Sequence, residues 1–98
     1  MHVISRRALV DFWTRHPAAK APMAAWFKVV SNASFTKFAD VKRTFNSADR
    51  VGDFVVFDIG AGCRIIAFIH FNRGRVYIRH VLTHRGYDDW TARLRGKR

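Results

Sequence analysis

The feature that most constrains this chain is a change of hydrophobic period near its midpoint. Up to Phe45, apolar residues recur at helical spacing; after Asn46-Ser47-Ala48-Asp49 they come in strand-length runs bounded by turn residues. A chain of this kind has to lay a small helical layer against a sheet. Met1-His2-Val3-Ile4 reads as a short opening strand. Ser5 can cap a first helix carrying Leu9, Phe12 and Trp13, which Pro17 ends. Pro22 can open a second helix, with Met23, Trp26, Phe27 and Val30 on its apolar face. These two form an antiparallel hairpin, and Phe38, Val41 and Phe45 mark a shorter third helix.

Three strands follow: Phe54 to Ile59, Arg64 to Phe71 and Arg75 to Leu82, with turns at Gly60-Ala61-Gly62 and Asn72-Arg73-Gly74. Residues Asp88 to Arg95 read as a short C-terminal helix capped by Asp88. The expected fold is α+β, one domain over residues 1–98, with the helices on one face of an antiparallel sheet. A three-residue second turn pairs Phe71 with Arg75, and so Arg64 with Leu82, Ile66 with His80 and Phe68 with Ile78. Cross-strand partners share a face, so Arg64, His70, His80 and, by continuation, His84 belong on one side. Ile65, Ala67, Ile69, Phe71 and Val81 belong on the other, with the helices.

The charge narrows the partners. Eighteen Lys and Arg, most of them arginine, against seven acids give a formal net charge of +11 over 98 residues. Arginine forks onto phosphates and stacks on bases, so a polyanion, and nucleic acid first, is the expected partner. An acidic protein and an acidic membrane surface are the rivals; no basic amphipathic helix dominates, which disfavours the membrane. No apolar run is long enough to span a bilayer and no signal-peptide pattern is evident. The lone Cys63 fits a reducing cytoplasm.

The candidate chemistry gathers at the end of the sheet, in Tyr77-Ile78-Arg79-His80-Val81-Leu82-Thr83-His84-Arg85-Gly86-Tyr87-Asp88 and in Arg64. Arg64 opens an otherwise apolar strand, where it serves either as a snorkelling strand-end charge or as a phosphate ligand. His84 and Tyr87 can exchange protons or merely bond backbone. Tyr87 belongs to no apolar periodicity, so its ring is not expected to anchor the core. Cys63, His70, His80 and His84 lack zinc-site spacing on a strand, so no metal or other cofactor is expected. Phe12, Trp13, Trp26 and Phe27 read as core at their helical spacing; Trp90 is a weaker case, because a terminal helix could leave it partly exposed.

The segments "ADVKRTFNSADRVG", "VVFDIGAGCRIIAFI" and above all "VYIRHVLTHRGYD", with "MHVIS", "ALVDFW" and "HPAAKAP" at the start, resemble the HigB family of bacterial type II toxins, within the RelE-like superfamily. The likeness runs end to end. It implies an endoribonuclease that cuts messenger RNA, typically on the translating ribosome, and a helix-turn-helix antitoxin (HigA-like) through which operator DNA is bound. By position it implies catalytic roles for Arg64, His84, Tyr87 and Arg79. Arg79 falls on the face opposite Arg64 in the register above, which suits it better to holding the C-terminal segment. Lys42, Arg43, Arg73, Arg75 and Arg85 are the expected RNA-backbone contacts. Three positions depart from the family pattern. Asp58 stands where Asn is common, and Gly62-Cys63 replaces a more polar stretch. Gly86 replaces a larger residue and adds flexibility beside His84 and Tyr87. Charge alone would also support a non-catalytic basic module that binds RNA or DNA.

Overall fold

The computed structural model describes residues 1–96. The chain runs β1 (His2–Ile4), α1 (Arg6–Arg15), a 3-10 turn at Pro17–Ala19, α2 (Lys20–Ser31), α3 (Phe38–Thr44), β2 (Asp49–Val51), β3 (Phe54–Gly60), β4 (Cys63–His70), a 3-10 turn at Phe71–Arg73, β5 (Arg75–Thr83) and α4 (His84–Gly96). The five strands form one sheet in the order β1-β5-β4-β3-β2. The meander β3-β4-β5 is antiparallel, as expected; β2 extends it antiparallel to β3, and β1 joins it parallel to β5, so the sheet is mixed. The three-residue β2, hidden in a stretch of turn formers, was not legible from its composition.

The apolar residues of the helix hairpin and the alternate residues of the central strands meet in one core. Leu9, Met23, Trp26, Val30 and Val41 pack there against Phe57, Ile65, Ala67 and Val76. Phe57 is its centre: its ring meets Trp26 and Phe45 edge-on, both at 5.2 Å between centroids. Each such aromatic pair adds about 0.5–1.5 kcal/mol beyond the area it buries.

The helices do not all lie on one face. Trp90 of α4 is buried against Val56 and Ile66, whose side chains point away from the main core, with Phe54, Leu82 and Tyr87 around it. Trp90, the weaker case for the core in the sequence, is thus a core residue. A strand that is apolar on both faces needs a cover on each, and α4 supplies the second.

The register holds where it matters and slips elsewhere. Arg64 pairs with Leu82 and Ile66 with His80, as expected, but Phe68 pairs with Tyr77 and His70 with Arg75. The connecting loop is thus four residues, Phe71 to Gly74, closed by a left-handed Gly74 at φ 63°. One residue of β5 must then be extra. The ladder steps from Ile66–His80 to Ala67–Ile78, so Arg79 is left unpaired in a β-bulge.

Candidate active site

The site is built by two tight connections at one end of the sheet. Gly60 pairs with Cys63, which leaves Ala61 and Gly62 as a two-residue turn with φ of 53° and 71°. Positive φ at both positions is the geometry that suits the twist of a hairpin. The Gly62 carbonyl then accepts the backbone N–H of His84 at 2.6 Å. The β3–β4 turn therefore fixes the point at which β5 becomes α4.

That helix starts four residues earlier than its composition suggests. Thr83 Oγ1 accepts the N–H of Gly86 at 3.1 Å and is the cap, so Asp88 is an interior helical residue. Gly86 lies in the first turn of α4, where an added Cβ would meet Thr83 and Leu82 at ordinary contact distances of 3.4 and 3.5 Å. The Gly86 backbone is thus helical and tied to the Thr83 cap.

His84 and Tyr87 are three apart on α4 and so share a face, turned towards Arg64. The Arg64 guanidinium donates to His84 Nδ1 at 2.9 Å and lies over the Tyr87 ring, 4.7 Å from its centroid. A guanidinium has no lone pair to offer, so Nδ1 accepts and the ring proton of neutral His84 sits on Nε2. Nε2 is 3.7 Å from the Asp88 carboxylate, one helical turn further along α4. Arg64 is also 3.9 Å from Asp58, its partner across the β3–β4 ladder. The arginine side chain is 19 % exposed, whereas His84 is 62 % exposed. A largely covered cation beside an open imidazole can receive a phosphate and move a proton next to it.

Tyr87 is half-buried and its ring stacks on Trp90 at 6.0 Å, contrary to a ring outside the core. Its hydroxyl makes no hydrogen bond to the described residues. The ring is structural and the oxygen is free for other work. Trp90 also stands 5.9 Å from the ring of His80. Burial, with Arg79 and Arg93 nearby, holds the His80 imidazole below its usual range.

The other candidates disperse. Arg85 is exposed in the first turn of α4, beside the cluster. Arg79 is exposed at the bulge, where the strict alternation that assigned it to the face opposite Arg64 does not apply. Lys42 donates to the Ala48 carbonyl at 2.7 Å and Arg43 pairs with Asp40, so both are engaged within the fold, on the helical side. Arg73 and Arg75 lie at the opposite end of the sheet, roughly 20 Å from Arg64 along β4. Among the described residues, no group of three or more His, Cys, Asp or Glu is placed to hold a metal ion. Composition missed Asp58 and Asp88 as site residues; their cross-strand and i,i+4 relations to Arg64 and His84 were the available signals.

A family model described as HigB_toxin, the RelE-like toxic component of a toxin-antitoxin system, matches residues 19–90. The chain is 33% identical over 104 residues to the mRNA interferase toxin HigB of Escherichia coli K12, with all of both chains covered, and equally to mRNA interferase HigB of Shigella flexneri. It is 24% identical to mRNA interferase HigB of Escherichia coli O6:H1, covering 97% of this chain and 96% of that one. Together with the α+β architecture, these likenesses place the chain in the HigB family, the RelE-like toxic component of toxin-antitoxin systems.

Proposed function

We propose that this toxin is an endoribonuclease that cleaves messenger RNA at the Arg64, His84 and Tyr87 cluster. The observation that carries the reading is the single contact set in which Arg64 meets both His84 and Tyr87 at the mouth of the sheet. Relatives covered from end to end carry the name mRNA interferase, which supports it.

RNA brings its own nucleophile. The 2′-hydroxyl attacks the adjacent phosphorus, the bond from phosphorus to the 5′-oxygen breaks, and a 2′,3′-cyclic phosphate and a 5′-hydroxyl result. The protein has to align the attack, accept the 2′ proton, stabilise the dianionic phosphorane and protonate the departing oxygen. Arg64 has five N–H donors and His84 uses one, so the others can face the phosphate. His84 and Tyr87 serve as the proton-transfer and orienting pair, with Asp88 behind the imidazole. Arg79 and Arg85 flank the cluster as backbone contacts. This sparse set suits a message held taut by the ribosome in the cytoplasm. Family membership implies an antitoxin; we take it to be a HigA-like helix-turn-helix protein that also carries the pair to operator DNA.

The test is inducible expression in bacteria with primer-extension mapping of transcripts. Growth arrest with discrete new 5′ ends is expected, and an Arg64→Ala, His84→Ala double variant that accumulates normally should produce neither. A module that only binds RNA would leave no cleaved ends at all.

A further inference from the structure

The groove at the other end of the sheet is used by none of this chemistry. It encloses about 490 Å³ between the start of α3, the β2–β3 hairpin and the end of β4. Its chemistry is mixed in a particular way. Lys37 and Arg50 bring two cations, and the Arg50 guanidinium already lies over the Phe38 ring at 5.8 Å. Asp53 brings one carboxylate.

Two side chains there are not spent on the fold. Phe68 belongs to neither core cluster; its ring is half-buried, and Tyr77, tilted at 6.4 Å, is its one aromatic neighbour among the described residues. His70 Nδ1 is shut away from solvent without a hydrogen-bond partner. Leaving such an atom unpaired costs about 1–3 kcal/mol, which a turn of the ring towards a donor or acceptor bound in the groove would recover. Both residues lie on the sheet face that bears Arg64, four and six positions further along β4.

We propose that this groove is a second RNA subsite, which holds one nucleotide of the single strand being cut at Arg64. The base stacks on Phe68, its edge meets His70 Nδ1, and the neighbouring phosphate rests between Lys37 and Arg50. Asp53 can accept an exocyclic base amine. Aromatic stacking with flanking cations is how proteins hold single strands without a strict sequence code. Along β4 the subsite begins at Phe68, roughly 13 Å from Arg64, and ends at His70, roughly 20 Å away, so only an RNA longer than the reacting nucleotides fills it. The proposal rests on the RNA-cleaving reading and adds where the strand is gripped away from the cut.

The test compares two 2′-O-methylated RNAs, which cannot be cleaved: a trinucleotide, and a single strand long enough to span both sites. Fluorescence anisotropy is read for wild type, Phe68→Leu, Arg50→Glu and Arg64→Ala, each checked by thermal melting. Wild type should bind the long strand more tightly than the trinucleotide. Phe68→Leu should cut long-strand affinity about tenfold and leave the trinucleotide unchanged. Arg50→Glu, a change at an exposed residue that gives up its contact with the Phe38 ring, should do the same and lower the salt slope by about 0.7. An intact length advantage in both variants overturns the subsite. So does no length advantage in wild type, or an equal loss for both RNAs. Trinucleotide binding that ignores Arg64→Ala would instead count against the cleavage site itself.

Discussion

Tyr87→Phe separates chemistry from folding in a single atom. The substitution keeps the ring, and with it the stack on Trp90 at 6.0 Å and the cover under Arg64 at 4.7 Å. It removes only a hydroxyl that has no hydrogen-bond partner among the described residues. Removing a partnered, buried hydroxyl would cost about 1–3 kcal/mol. Here the cost should stay within about 0.5 kcal/mol, as for a surface change. For a domain of this size that is a melting shift of at most about 4 °C. If the oxygen moves or orients a proton in the reaction, cleavage should slow by about 10²-fold or more. Melting followed by near-ultraviolet circular dichroism and single-turnover cleavage of ribosome-bound message, on the same sample, give both numbers. Unchanged melting with wild-type cleavage would refute a chemical role for the hydroxyl. A loss above about 1 kcal/mol would show instead that the oxygen has a partner in the fold.

Trp90 buries its ring under α4, so Trp90→Ala should cost about 3–5 kcal/mol in urea denaturation and detach His84 and Tyr87 from Arg64. Asp58→Asn removes the carboxylate 3.9 Å from Arg64 and should raise RNA affinity by up to about fivefold, measured by anisotropy; weaker binding would show that Asp58 positions the arginine. His80 is held below its ordinary value of about 6.5 chiefly by burial, then by Arg79 and Arg93. The unfolded chain therefore binds a proton first as pH falls. The contribution of His80 is fully present above the unfolded value and is lost as pH drops towards the folded one. Urea midpoints between about pH 7.5 and 5 should fall less steeply for His80→Gln than for wild type.

The helices and the central hairpins were legible because each has a strong local signal: Leu9, Phe12 and Trp13 at helical spacing, and apolar runs set between glycine turns. The shared face of Arg64, His80 and His84 was legible too, although for an incomplete reason. A four-residue loop displaced the ladder by one, and the bulge at Arg79 brought it back before it reached Arg64. Compensating irregularities of that kind leave no mark in alternation. The position of α4 was hidden because Trp90, Tyr87 and Leu82 come from two elements that meet only in three dimensions. Thr83 was overlooked as a cap because a β-branched residue ending a strand reads as strand. The tertiary context decided its role.

The most direct test is single-turnover cleavage of a defined message by wild type and Arg64→Ala, with the chemistry of the new ends determined. The expected result is a 5′-hydroxyl on the downstream fragment and a 2′,3′-cyclic phosphate upstream. Arg64→Ala should be slowed by about 10²–10³-fold, the scale of one lost transition-state donor. Cleavage by Arg64→Ala at the wild-type rate, or fragments ending in 5′-phosphate and 3′-hydroxyl, would contradict it.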